Sequence, residues 1–268
     1  MISIELISKG ESKLGETLES IRSQDFSDLE IICADSSNNK KTEETIKEFD
    51  SVFIRLPERT RALKARYEAH IHSNGEWCFL LDSTRPLKKH ALNTLMKNYL
   101  DYDMTIVLEN GLGKGFWVEQ AKKLTELSIA QAIRLPTETL AFLLPRFYKR
   151  SVLNYSFSNI LAKTGNVFEK ISYGEHHLIF EEALNISKNV GLTDESLISH
   201  FEDDSLIKIL KKYHWYGKSQ RELKLLERTE TQILSRHLRK DVPLRKRIGT
   251  LPIATARIIP FLFGYYII

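Results

Sequence analysis

The chain has 268 residues, of which 42% are hydrophobic and 28% are charged, and its formal net charge is +4. This composition predicts a soluble globular protein with a sizeable core and excludes an intrinsically disordered chain. Two cysteines, Cys33 and Cys78, both fall in apolar runs, so we interpret them as core residues and exclude a disulfide framework. The N-terminus shows no signal-peptide pattern, which predicts a cytoplasmic protein.

Strand-like and helix-like segments alternate along the first hundred residues. Apolar runs separated by helical patterns of about 10–15 residues predict a mostly parallel sheet with helices on both faces. The predicted strands are Ile2–Ile7, Leu29–Ala34, Val52–Leu56, Trp77–Asp82 and Met104–Leu108. The predicted helices between them are Leu14–Arg22, Lys41–Phe49, Arg61–His72 and Lys88–Tyr99.

The pattern changes after residue 110. Gly111–Gly115 is predicted to form a turn or a mobile lid, and a predicted helix over Val118–Arg134 follows it. Further helices are predicted over Glu181–Asn189 and Asp204–Arg236.

Two of the predicted strands carry an aspartate to their carboxyl ends. Asp35 follows Leu29–Ala34 and Asp82 closes Trp77–Asp82, and small polar residues come next in both places. Ligands of open α/β sheets bind just beyond the carboxyl ends of the strands, so this pair predicts a nucleotide pocket. The alternative is that each aspartate only caps the helix that follows.

The C-terminal region combines basic and apolar residues. Between Arg236 and Arg257 there are seven Lys or Arg residues and one acid, Asp241, and Ile258–Ile268 is uncharged. The apolar segment is too short to cross a bilayer, which takes about 20 residues. The pattern predicts a peripheral anchor on an anionic membrane, or alternatively a segment that packs on the body or in a dimer interface. No nucleic-acid-binding module accompanies these charges, so nucleic acid is not a predicted partner.

Four blocks of the sequence occur in the same order as in a known protein family. They are LGETLESIRSQDFSDLEIICADSS, RALKARYEAHIHSNGEWCFLLDS, YGEHHLIFEEALNISKNVG and ISHFEDDSLIKILKKYHWYGKS. Together they resemble the family 2 glycosyltransferases, over roughly residues 1–220. The resemblance implies the GT-A fold, a nucleotide-binding α/β/α sandwich with a mostly parallel central sheet, here followed by a helical C-terminal extension.

The resemblance also implies an organisation and an activity. Residues 1–220 would form the catalytic domain, with a nucleotide-sugar half (1–110), an acceptor half (111–220) and a basic and apolar extension (221–268). The implied reaction is hexosyl transfer, with inversion, from a nucleotide-diphosphate donor to a glycan or polyprenyl-phosphate acceptor. Two alternatives stay open: a protein of the same fold that binds the nucleotide sugar without turnover, and a nucleotidyltransferase.

Donor-site residues follow from the same resemblance. Asp35 is expected to accept a hydrogen bond from the nucleobase, and Ser8 is expected near the ribose or base. Asp82 would face the ribose and any metal. Arg66 matches the arginine of the second block in the family.

The metal motif departs from the family pattern. Thr84 stands where the second acid of Asp-x-Asp is usual, so Asp82 and the donor diphosphate would hold Mg²⁺ or Mn²⁺ only weakly. His200 matches a further metal ligand of some members, or alternatively makes a structural hydrogen bond. If the metal is weak or absent, Arg85 or Lys218 is expected to neutralise the diphosphate, although Arg85 could equally be a surface charge.

The residue at the position of the catalytic base also differs from the family pattern. The family places an aspartate after the glutamate of the third block, whereas here Glu175 is followed by His176. Either residue can serve as base, because histidine with a pKa of about 6.5 titrates near neutral pH. A third interpretation is that the base has been lost.

Two residues are expected on the acceptor side. Arg146 precedes two aromatic residues, and a guanidinium pairs well with the phosphate of a lipid-phosphate acceptor. Trp117 could stack on a sugar ring, although aromatic residues at such positions are more often part of the core.

Overall fold

The structure, a computed structural model, describes residues 1–132, 143–224 and 249–266. The strands are β1 (Ile2–Ser8), β2 (Leu29–Asp35), β3 (Val52–Arg55), β4 (Trp77–Asp82), β5 (Met104–Leu112), β6 (Phe147–Lys149) and β7 (Val190–Phe201). The helices of the N-terminal part are α1 (Leu14–Arg22), α2 (Lys40–Lys47), α3 (Ala62–Ile71), α4 (Ala91–Asn98) and α5 (Phe116–Ala132). Those further along are α6 (Arg150–Thr164), α7 (Glu175–Ala183), α8 (Leu206–Lys224) and α9 (Leu251–Tyr266), with a 3₁₀ segment at Gly165–Lys170.

One sheet of seven strands organises the described part of the chain, in the order β3-β2-β1-β4-β6-β5-β7. The neighbours β1 and β2, β1 and β4, β2 and β3, and β5 and β7 run parallel. Only β6 is antiparallel to both strands beside it within this sheet. The predicted α/β class with a mostly parallel sheet is therefore confirmed.

Apolar residues on both faces of the sheet explain why the strands are buried. One core cluster includes Ile4, Leu18 and Phe79 below the helices of one face, and a second includes Leu80 and Phe157 on the other. A sheet covered on both faces needs strands that are apolar throughout, and Trp77–Leu81 of β4 is fully buried in this way. Cys33 and Cys78 are free and buried, as predicted.

Several sequence-based boundaries were wrong. Residues Gly111 and Leu112, predicted to lie in a turn or lid, continue β5 and pair with His200 and Phe201 of β7. The helix predicted over Glu181–Asn189 is α7, which begins six residues earlier and ends at Ala183. Strands β6 and β7 and helix α6 were not predicted. The predicted ends at Arg134 and Arg236 lie outside the described residues.

The C-terminal helix packs along α8. A Cβ added at Gly217 would lie 2.0 Å from the Phe261 carbonyl oxygen, and one at Gly264 would lie 1.9 Å from the His214 carbonyl oxygen. The two helices therefore approach through their glycines, as small residues at a crossing allow. Within the residues that the structure covers, no helix is both long and apolar enough to span a bilayer.

Candidate active site

A cavity of about 650 Å³ opens at the carboxyl ends of the parallel strands. Ser8, Asp82, Glu109 and His200 reach it from β1, β4, β5 and β7. The ends of parallel strands share one edge of the sheet, so strands that are distant in sequence deliver their side chains to the same place. The first turn of α7, one side of α8 and Arg257 of α9 complete the wall.

Three arginines converge on the Asp82 carboxylate, and we call Arg66, Arg85 and Arg146 the arginine cluster. Arg66 of α3 pairs with Oδ1 of Asp82, and Arg85, three residues after Asp82, pairs with Oδ2. Arg146, which precedes β6, places its Nη1 3.5 Å from the same Oδ2. The side chains of the cluster are 1%, 15% and 12% exposed, in that order, so these ion pairs are largely shielded from water.

The cluster controls the ionisation of the acids beside it. Burial alone would raise the pKa of Asp82, but Arg66, Arg85 and Arg146 together hold that pKa well below its ordinary value. Glu109 accepts a 2.9 Å hydrogen bond from Nε of Arg85. Against the effect of burial, this partner lowers the pKa of Glu109 to about 2. Both carboxylates are therefore ionised at neutral pH.

Glu175 and His176 stand at the first turn of α7, beside the arginine cluster. Oε1 of Glu175 lies 3.5 Å from Nε of Arg66, and burial raises the pKa of this carboxyl despite that contact. Nη1 of Arg146 lies 3.2 Å from Nε2 of His176. Burial, together with Arg66 and Arg146, lowers the pKa of His176 well below its ordinary value, so the imidazole is neutral. Since the guanidinium donates to Nε2, the ring proton is assigned to Nδ1.

Asp35 and Ser8 lie side by side at the ends of β2 and β1. Oδ2 of the buried Asp35 accepts hydrogen bonds from the amide nitrogen (3.1 Å) and the hydroxyl (2.6 Å) of Ser37. Its Oδ1 is buried without a hydrogen-bond partner in the described part of the chain. Ser8 accepts a 3.0 Å hydrogen bond from the amide of Gly10 and lines the cavity together with Ser36.

Four of the predicted site residues do not line the cavity: Asp35 and Arg66, which are buried next to residues that do, and Trp117 and Lys218. Trp117 packs against Ala121, Ile209 and Ile253 between α5, α8 and α9 and is not part of the cavity wall. Lys218 on α8 does not line the cavity either. His200 does, and its Nδ1 lies 3.2 Å from Oε1 of Glu202.

Further cavity residues were missed by the sequence analysis. Lys9 lies in the loop after β1, and its Nζ is 4.6 Å from the centre of the Trp215 ring. The guanidinium of Arg61, which is not part of the cavity wall, stands 4.9 Å from the same ring. Glu109 lies one residue beyond the predicted end of its strand, because β5 is longer than predicted and continues to Leu112. No sequence signal marked Arg257, which reaches the cavity only through the packing of α9.

The residues at Asp82 do not fit the divalent metal that the resemblance implied. Both oxygens of Asp82 are already paired with guanidinium groups, and Thr84 supplies no second carboxylate. The one carboxylate of the motif is therefore already engaged by cations of the chain itself.

Comparison with known proteins agrees with this architecture. Residues 6–128 match the family model described as Glycosyl transferase family 2, which confirms the resemblance seen in the sequence. No curated protein matches the sequence at a significant level. The fold is similar to that of S. aureus TarS 1-349 in complex with UDP-GlcNAc, with a TM-score of 0.54 and 14% identity over 98% of this chain and 81% of that one.

Two further solved structures are similar. Glucosyl-3-phosphoglycerate synthase from Mycobacterium tuberculosis, in complex with Mn²⁺, UDP and glucosyl-3-phosphoglycerate, gives a TM-score of 0.52 and 13% identity over 84% of this chain and 79% of that one. A mannosyltransferase from Pyrobaculum calidifontis, in complex with GDP-Man and Mn²⁺, gives a TM-score of 0.54 and 13% identity over 95% of this chain and 73% of that one. At these identities the similarity establishes the GT-A fold that was predicted.

Proposed function

We propose that this protein, whose residues 6–128 match glycosyltransferase family 2, transfers a hexosyl group from a nucleotide-diphosphate donor to an acceptor hydroxyl or phosphate. The observation that carries the proposal is the convergence of Asp82, Arg85, Arg146 and Glu175 in one cavity at the strand ends. The buried Arg66 pairs there with both Asp82 and Glu175. The similar proteins were solved with UDP-GlcNAc, UDP or GDP-Man, which supports a nucleotide sugar as the donor.

The donor would be held mainly by residues 1–110. The free Oδ1 of Asp35 is a buried acceptor at the end of β2, and a nucleobase N–H is the kind of donor that would satisfy it. Ser8 lies beside it at the end of β1, close to where a ribose would follow. The diphosphate would then lie at Asp82 and the arginine cluster.

Residues 111–220 would supply the base. The acceptor oxygen attacks the anomeric carbon, its proton passes to Glu175, and the bond to the diphosphate oxygen breaks with the electron pair leaving on the nucleoside diphosphate. The raised pKa of Glu175 suits a base that must take a proton near neutral pH. Nε2 of His176 is occupied by Arg146, so His176 would position that arginine. In-line attack of this kind inverts the anomeric centre.

The acceptor is proposed to be a glycan or a polyprenyl phosphate at the inner face of a membrane, where the protein would be peripheral. On α9 the side chains of Leu251, Ile259, Phe263 and Tyr266 are at least half exposed. They project from one side of the helix, and a basic stretch precedes them in the sequence. An apolar helix face beside basic residues is suited to an anionic lipid surface.

One observation favours a second candidate, a nucleotide-sugar-binding protein without turnover. His176 stands where the family base is expected, and burial together with its contact to Arg146 keeps it from taking up a proton. The two candidates share the donor site and differ in turnover. Release of nucleoside diphosphate from a bound nucleotide sugar, measured with and without glycan and polyprenyl-phosphate acceptors, separates them.

The first experiment measures the melting temperature with a panel of nucleoside diphosphates and nucleotide sugars. Ligands that bind the folded state raise the melting temperature, so at least one nucleotide should do so. Asp35→Asn should remove most of that shift, because the free carboxylate oxygen is lost. Asp101→Asn, an exposed position away from the cavity, serves as the matched control. If no nucleotide stabilises the protein, the proposed function is contradicted.

A further inference from the structure

We propose that the arginine cluster takes the place of the divalent cation and that its two cavity-lining members, Arg85 and Arg146, bind the donor diphosphate directly, so that nucleotide binding does not depend on a metal. The inference rests on the proposed function, since it concerns the same cavity, and it names which groups meet the phosphates. Arg85 lines the cavity and keeps part of its guanidinium group available to the ligand.

The cluster is fixed in position before any ligand arrives. Arg85 donates through Nε to Glu109 at 2.9 Å and through Nη1 to Asp82. Arg66 is held between Asp82 and Glu175, and its Nη1 also donates to the Leu81 carbonyl oxygen at 3.3 Å. Side chains that are already ordered lose little entropy when they bind a ligand, so they act as a preformed site.

The guanidinium of Arg85 has hydrogen-bond donors that its two carboxylate partners do not use. The hydrogen bonds to Glu109 and Asp82 use Nε and Nη1, and Nη2 has no hydrogen bond to any residue that the structure describes. The side chain lines the cavity and is 15% exposed. A guanidinium with a free edge binds phosphate oxygens through short, charge-assisted hydrogen bonds.

Positive charge beyond the cluster can attract an anion. Within the cluster, the three guanidinium groups are balanced by the carboxylates of Asp82, Glu109 and the ionised form of Glu175. Lys9, which lines the cavity, and Arg61 add positive charge beside the Trp215 ring. A diphosphate at the free edge of Arg85 would be attracted by these two groups.

The alternative, a metal bound by other residues, has no support at the cavity. Across the described ranges, the one group of three His, Cys, Asp or Glu side chains close enough to share an ion is Glu5, His70 and Cys78. That group is buried in the core, and both ring nitrogens of His70 are engaged, by Glu5 at 2.8 Å and Asn154 at 2.9 Å. None of the three lines the cavity.

The test measures the affinity for UDP and for GDP by calorimetry, once with excess EDTA and once with saturating Mn²⁺. We expect one of the two nucleotides to bind in EDTA, with a Kd that Mn²⁺ changes by less than about twofold. In EDTA, Arg85→Gln should weaken binding by about tenfold or more, which corresponds to the loss of a charge-assisted hydrogen bond. Arg22→Gln, an exposed arginine outside the cavity, should bind as the unaltered protein does.

The outcomes separate the two proposals. Binding that requires Mn²⁺ overturns the metal-free site and leaves the proposed function standing. Failure of UDP, GDP, UDP-GlcNAc and GDP-Man to bind in either buffer contradicts the proposed function itself. Unchanged affinity of Arg85→Gln also overturns the inference, and a circular-dichroism melt of that variant confirms that it is folded. The EDTA comparison uses the unaltered chain, so it does not depend on any variant.

Discussion

At the scale of single residues, the chemical role of Asp82 depends on its neighbours. At the end of β4 a lone carboxylate beside a diphosphate would attract a cation from solution. Here the cation is built into the chain as Arg66, Arg85 and Arg146. If the cluster replaces the metal as we propose, a second acid at the position of Thr84 is not needed.

Glu175→Gln should lower the rate of sugar transfer by about a hundredfold or more, the usual contribution of a general base. The rate should also fall as the pH drops below the raised pKa of Glu175, because the base must be ionised to accept a proton. Initial rates across the pH range check both statements. Glu181→Gln, an exposed glutamate on the same helix, is the control. A full rate in Glu175→Gln would exclude this residue as the base.

Glu109 should stabilise the fold above mildly acidic pH. Its folded-state pKa of about 2 lies below the ordinary 4.5, so its contribution is present above pH 4.5 and is lost as the pH falls toward 2. In Glu109→Gln the melting temperature should therefore change less with pH between those two values. The exposed Glu19→Gln should follow the curve of the unaltered protein. An unaltered slope in Glu109→Gln would mean that its pair with Arg85 does not contribute.

The sequence predicted part of this site and missed the rest for physical reasons. Asp35, Asp82 and Ser8 were predicted because strand ends are visible as the limits of apolar runs. Arg146 was expected on the acceptor side, yet the structure brings it to Asp82, because the short antiparallel β6 lies directly beside β4. Contacts across strands so far apart in sequence leave no local pattern.

At the scale of elements, helices with regular apolar spacing were predicted well and irregular ones poorly. Helix α1 matches its predicted bounds, since Leu14, Leu18 and Ile21 repeat on one buried face. Helix α7 begins with Glu175, His176 and His177, polar residues that hide the helical repeat. Strand β6 has three residues, too few for an alternating pattern to register.

The contact of α8 with α9 gives a prediction at this scale. Gly264→Ala should destabilise the protein by about 1–3 kcal/mol, because the new Cβ would meet the His214 carbonyl oxygen and push the helices apart. Urea denaturation measures the change. In the control Gly15→Ala on α1, the nearest atom would be Thr45 Cγ2 at 3.7 Å, an ordinary contact, so stability should hold or rise. Equal stability of both variants would show that the helices can separate without cost.

At the scale of the whole molecule, the proposed anchor and the cavity belong to one body. The full chain should sediment with anionic lipid vesicles, and less so at high salt, because screening weakens the attraction. Ile259→Glu combined with Phe263→Glu should reduce sedimentation, since both side chains are more than half exposed on α9. Ile71→Glu, exposed to a similar degree on α3, should not. Vesicle binding that is equal in all three proteins would contradict the anchor.

Arg257 connects α9 directly to the cavity. Its guanidinium lies 3.7 Å from Glu202, which in turn holds His200, and it stands 5.3 Å from the centre of the Tyr213 ring. The helix that would rest on lipid therefore also contributes Arg257 to the wall of the cavity. The same helix would then bind the bilayer and form part of the cavity wall on the acceptor side. A chain truncated before Leu251 should therefore lose membrane binding and the complete cavity wall together.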